Sequence, residues 1–215
     1  TEHSLSSSSL TFTTSNWNTA QTITVTGVDD SLDDGDITTT LTATASNSGG
    51  YAGTETATTT LKTSDNDTAG ITIAQTGTTD GSGNLLTTEA GSTSTFTVVL
   101  DAKPTADVTV SITGADSTEH SLSSSSLTFT TSNWNTAQTI TVTGVDDSLD
   151  DGDITTTLTA TASNSGGFTG SEATSTTVKN TDNDAAGITI AQTGTTDGSG
   201  NLLTTEAGST STFTV

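Results

Sequence analysis

The chain has 215 residues, with 25 Asp and Glu against three Lys and no Arg, a net charge of −22 and a pI near 4.1. That balance makes nucleic acid and anionic membrane poor partners and cations natural ones. Cys and Met are absent, which excludes a disulfide framework, a thiolate metal site and a cysteine nucleophile. No segment approaches the roughly 18 to 20 consecutive apolar residues of a membrane span, so direct membrane insertion is not expected, and an export signal would lie outside this stretch.

Leu, Ile, Val and Phe make up about 18% of the chain, a share that at this charge belongs to disordered proteins. Placement argues against disorder. Phe96, Val98 and Leu100, then Val108, Val110 and Ile112, then Leu158, Ala160 and Ala162 alternate with Thr and Ser, the period of strands with one buried face. Threonine is β-branched and polar and suits the wet side. The expected fold is all-β with short strands and a thin core.

Residues 1–50 recur unchanged from Thr118, and residues 69–98 recur at 186–215, both at an offset of 117. The chain thus reads as a window on a tandem array. Residues 1–67 are the C-terminal part of one repeat, 70–184 a complete repeat, and 187–215 the N-terminal strands of the next.

In the complete repeat the pattern predicts seven strands: an interrupted first around 71–76 and 85–88, then 94–100, 107–113, 122–130, 137–143, 154–162 and 171–180. If they run alternately up and down, as in a Greek-key sandwich, every segment after an odd-numbered strand falls at one pole. Those segments carry Glu89, Asp116, Asp146, Asp147, Asp150, Asp151, Asp153, Asp182 and Asp184. Their copies are Asp29, Asp30, Asp33, Asp34, Asp36, Asp65 and Asp67 in the first repeat and Glu206 in the third. The other pole receives only Asp101 and Asp107, with Lys103 between them. Trp17 and Trp134 fall there too, with an expected role in capping the core or packing between repeats. His3 and His120 are expected to face solvent, Lys62 and Lys179 to act as local counter-charges, and Pro104 to shape a turn.

So many carboxylates in one place raise one another's pKa and repel unless a counter-charge arrives. Numerous hard oxygens on flexible loops, with a glycine for a tight turn, suit Ca²⁺ at six to eight oxygens per ion, and roughly two to four ions per pole is the expected order. Mg²⁺ keeps its waters and uses few carboxylates, and zinc would lack thiolates. The EF-hand spacing is not met. The plain alternative is a solvated acidic face that keeps a Thr-rich array soluble.

GVDDSLDDGD after the fifth strand, TDNDAAG closing the repeat, TTEAGSTSTFTVVL near its start and SLTFTTSNWNTAQTITVTGVDD in its middle resemble the Calx-beta and Calx-beta-like repeats of large bacterial and cyanobacterial surface proteins and adhesins. The resemblance covers the whole repeat and implies tandem Ig-like antiparallel β-sandwiches of about seven strands. It also implies calcium ligands at Glu89, Asp116, Asp146, Asp147, Asp182 and Asp184. Asp151 and Asp153 stand where that family commonly has glutamates.

The functional expectation is a non-catalytic structural repeat of an extracellular or cell-surface protein, a calcium-rigidified rod or filament. Its expected partners are adjacent copies of the repeat, with self-association into fibres. The alternative is an adhesion module that binds cell-surface glycans or another cell. An enzyme or an ice- or mineral-binding surface is the third class. Strands of this length at about 3.3 Å per residue, plus loops, give roughly 35 to 45 Å per repeat.

Overall fold

Strands form where apolar residues alternate with Thr and Ser, and they break where Gly, Ser and Asp cluster. The computed structural model describes residues 2–215, and among these there is no helix. In the first copy β1 (His3–Leu5) pairs with β2 (Val25–Gly27), and β3 (Ile37–Thr44) pairs with β4 (Thr56–Thr63). The complete repeat holds β5 (Ile71–Gln75), β6 (Leu85–Thr88), β7 (Thr93–Leu100), β8 (Val108–Thr113), β9 (His120–Leu122), β10 (Ser126–Phe129), β11 (Gln138–Gly144), β12 (Ile154–Ala162) and β13 (Ala173–Thr181). A two-residue pair, β14 (Ala191–Gln192) with β15 (Phe213–Thr214), follows.

Strands β5 to β13 build two sheets, ordered β10-β8-β12-β13-β6 and β5-β7-β11-β9, whose inner faces share one apolar core. This arrangement is consistent with a β-sandwich. Two of the predicted strands divide between the sheets. The first splits at a turn in which the Asp80 carboxylate accepts from the N–H groups of Ser82 and Asn84 at 2.8 and 2.9 Å. Its front half, β5, lies antiparallel to β7, and its back half, β6, runs parallel to β13. The fourth, expected as one strand over 122–130, is two. The Ser123 N–H donates to the Thr141 carbonyl on one side, and the Ile112 N–H donates to Ser125 on the other, so the serine run carries the chain across.

The core is Phe96, Val98, Leu100, Val108, Val110, Phe129, Ile140, Val142, Leu158 and Val178 with smaller neighbours, all essentially inaccessible. Each such side chain is worth about 1.5 to 3 kcal/mol on burial, set against the large entropy cost of ordering the chain. Thr and Ser occupy the outward positions of both sheets, for example Thr159 beside Thr113 and Thr141 beside Thr95. Trp134 packs against the core edge and its carbonyl accepts from the Leu100 N–H at 3.2 Å, in keeping with a capping role. One expectation is corrected. His120 is only 2% exposed, because it starts β9 on the inward-facing register opposite Gly144.

Identical sequences sit in different surroundings in the two copies. Phe129 is fully buried, whereas its copy Phe12 is 53% exposed, and Trp17 is exposed where Trp134 is half-buried. The cause is packing: among the described residues no counterpart of β5 to β8 lies over the first copy's strands.

Candidate metal centre at the acidic pole

The inward row of each strand changes character toward one end. In β6 and just beyond it the buried positions run Leu85, Thr87, Glu89, and in β13 they run Thr176, Val178, Asn180. Alternation thus carries the chain from core to carboxylate without leaving the buried face. The Thr87 hydroxyl donates to Asn180 Oδ1 at 2.9 Å, and Asn180 Nδ2 donates to Glu119 Oε2 at 3.2 Å. Gly144 makes this closeness possible. A Cβ there would collide with the Thr88 carbonyl and the Asn180 amide.

Four segments meet at this pole, as strand parity requires. The Glu89 N–H donates to the Thr181 carbonyl at 3.1 Å, joining the segment after β6 to the end of β13. The Val145 N–H donates to the Glu119 carbonyl at 2.9 Å, joining the loop after β11 to the loop before β9. That after-β11 loop is tied to the chain end in turn: Gly152 donates to Asp182 Oδ2 at 2.8 Å, and Asn183 Nδ2 to Asp146 Oδ1 at 3.0 Å. Gly152 adopts a φ of 79°, a left-handed conformation that the DDGD turn needs and that a side chain would resist.

Two groups of carboxylates could each hold a metal ion: Glu89 with Asp182 and Asp184, and Glu119 with Asp147 and Asp151. In each group one oxygen per residue lies within 4.8 Å of the others. Glu89 and Glu119 are 2% and 4% exposed. Among the described residues the ion pairs lie elsewhere: Lys179 holds Asp153 at 2.7 Å, and Lys62 holds Asp36 at 2.5 Å. Both lysines therefore act as local counter-charges, but neither neutralises the buried glutamates. Asp184 Oδ2 is buried with no hydrogen-bond partner. A buried carboxylate oxygen with neither donor nor counter-charge is costly, and a hard cation ligated by oxygen would relieve it. The donor set fits such an ion.

Electrostatics divide these carboxylates into two kinds. Backbone N–H groups of Asp184 and Gly152 hold Asp182 below the usual Asp range, and the Lys179 ammonium does the same for Asp153. Asp184 is pushed up, first by burial and then by the charges of Asp182, Asp146, Asp147 and Asp150. For Glu89 the largest single influence is the Asn183 N–H, which lowers its pKa. Burial together with Asp182 and Asp147 outweighs it, and the net direction is upward.

Of the nine acids expected at the pole, the two groups take Glu89, Asp147, Asp151, Asp182 and Asp184. Asp146, Asp150 and Asp153 lie beside them and hold the backbone and side-chain amides: Asp150 Oδ2 accepts from the Ala186 N–H at 2.6 Å, and Asp153 Oδ1 from Asp182 at 3.2 Å. Asp116 is in neither group. Its Oδ1 accepts from the Thr118 N–H and hydroxyl at 3.0 and 2.6 Å, closing its own turn. In its place stands Glu119, which sequence reasoning passed over. Its signal was position: it is the only glutamate in the segment leading from the third strand into the fourth.

In the first copy Asp33, Asp36 and Asp65 repeat the hydrogen bonds of Asp150, Asp153 and Asp182. Asp67 is likewise pushed up, by burial first and then by Asp65, Asp29, Asp30 and Asp33. Asp34 lies at the edge of a cleft with Lys103. No group of three ligands is found there among the described residues, and the first group has no counterpart of Glu89 in that copy. Glu206 is exposed. No protein-family model matches the chain, and no curated protein matches it at a significant level.

Proposed function

We propose that the chain is a segment of a non-catalytic, calcium-stiffened tandem array, with Calx-beta-like Ig-type sandwiches as its units, in an extracellular or cell-surface protein. The observation that carries this reading is the pair of acidic groups built on the buried glutamates Glu89 and Glu119. Ca²⁺ suits them because they offer only oxygens, in number, on loops that can adjust to six to eight ligands. Location supplies the mechanism. Asp150 and Asp33 bind the backbone N–H of Ala186 and Ala69, the linker residues that lead into the following repeat. An ion held beside that linker restrains bending, and near-identical copies suit a spacer better than a recognition surface. Adjacent copies of the repeat are its first partners.

Small-angle scattering of the full chain in Ca²⁺ and in EGTA tests the reading. The expected result is a longer, narrower distribution of lengths with Ca²⁺. Identical scattering in the two buffers would count against it.

A further inference from the structure

Leu32 and Leu149 hold the same place in identical ten-residue loops, 27–36 and 144–153. Both loops fold alike. The leucine N–H donates to Asp30 Oδ1 at 2.8 Å in one and to Asp147 Oδ1 at 2.7 Å in the other, a turn that holds the side chain outward between two acidic pairs. What lies over the leucine differs. Leu149 is 63% exposed, whereas Leu32 is half-buried in a cleft with Ala102, Lys103, Gly166 and Phe168. Those residues form the opposite, non-acidic pole of the following repeat. The Ser31 carbonyl accepts from the Lys103 N–H there at 2.7 Å. Lys103, the basic residue of that pole, lines the same cleft as Asp33 and Asp34.

We propose that this leucine is an inter-repeat knob: the acidic loop of one repeat seats it on the opposite pole of the next copy of the same repeat. Solvation alone gives no reason for a leucine at the apex of an acidic loop. Its partner surface is complementary on three counts: apolar walls at Ala102 and Phe168, which are 1% and 3% exposed, a backbone donor at Lys103, and a basic residue, Lys103, lining the same cleft as the acids Asp33 and Asp34. Leu149 is the same knob presented to the repeat that follows it. The proposal deepens the reading above, on which it rests for one point only: a cation that fixes the loop also fixes the knob.

The twin loops supply their own control. Amide hydrogen exchange is measured on the full 215-residue chain, as parent, Leu32→Ser and Leu149→Ser, in Ca²⁺ and in EGTA. Losing a half-buried leucine contact should speed exchange at the Lys103 amide about tenfold in Leu32→Ser, and Leu149→Ser should leave that amide unchanged. Equal rates in all three proteins, or equal changes in both variants, would overturn the proposal. A contrast that persists while Ca²⁺ has no effect upholds the docking and counts against the cation reading. A Ca²⁺ effect without the contrast does the reverse.

Discussion

The backbone N–H of Asn183 donates to Oε2 of Glu89 at 3.0 Å, across 94 positions of sequence. This bond joins the start of the repeat to its end at the acidic pole, yet it leaves Glu89 buried beside Asp182, and among the described residues the nearby Lys179 pairs with Asp153 instead. The fold is thus held at a place that electrostatics would otherwise open.

Chelation should therefore lower the stability of the complete repeat. An ion that binds only the folded state adds about 2.7 kcal/mol at a hundred times its Kd, which for a unit of this size is on the order of 10 °C in melting temperature. Calorimetric melts in EGTA and in millimolar Ca²⁺ check this. Coincident melts would mean that the pole contributes no cation-linked stability.

Glu119→Gln and Asp116→Asn should behave differently. The glutamine still accepts from Asn180 but removes one charge from the second acidic group, so Ca²⁺ affinity should fall about tenfold, as ligand charge count dictates, while the metal-free protein melts higher. Asp116 is engaged with Thr118, and its change should leave affinity nearly untouched. Binding isotherms of the two variants give the answer, and a larger loss at Asp116 would reverse the assignment.

The pH dependence should change sign with calcium. Glu89 and Asp184 titrate above their usual values of 4.5 and 3.8 in the folded protein, so in their window the folded state holds more protons than the unfolded one. Metal-free stability then rises as pH falls from neutral through those raised values, and the gain is complete below 4.5 and 3.8. Asp153 and Asp182 titrate below 3.8, and the stability they give is lost only as pH falls through their lowered values. With Ca²⁺ present, protons compete with the ion, and stability should fall from neutral downward. Melting curves across pH 7 to 3 in the two buffers distinguish the cases.

Phe129→Ala should cost about 3 to 5 kcal/mol and unfold the complete repeat at ordinary temperature. The same change at Phe12, in the same sequence but exposed, should stay within about 0.5 kcal/mol. Denaturant titration of the two variants measures both.

Much of this was legible in the residues. Alternation placed the strands of the complete repeat to within a few residues except the fourth, which is two strands, β9 and β10, and parity alone brought Glu89, Asp147 and Asp182 to one pole. Parity works on strand counts and says nothing of where a carboxylate points, so it treated Asp116 and Asp150 as equal to Asp147. In the structure Asp116 is engaged by Thr118 and Asp150 by the linker amide of Ala186, and neither belongs to the two three-residue groups. Glu119 and His120 were missed for a related reason. A strand that begins inside a loop sets its inward register by its partner, here β11, and that pairing is not written in local sequence. The split of the fourth strand between sheets is equally non-local, since Ser123 and Ser125 take partners from different strands.

Calorimetric titration of the chelator-stripped chain with Ca²⁺ tests the central claim most directly. The account predicts saturable binding of more than one ion, reduced by Glu89→Gln and by Glu119→Gln and not reproduced by equal Mg²⁺. Heats no larger than dilution at millimolar Ca²⁺, in a chain whose sheets are intact by circular dichroism, would contradict it.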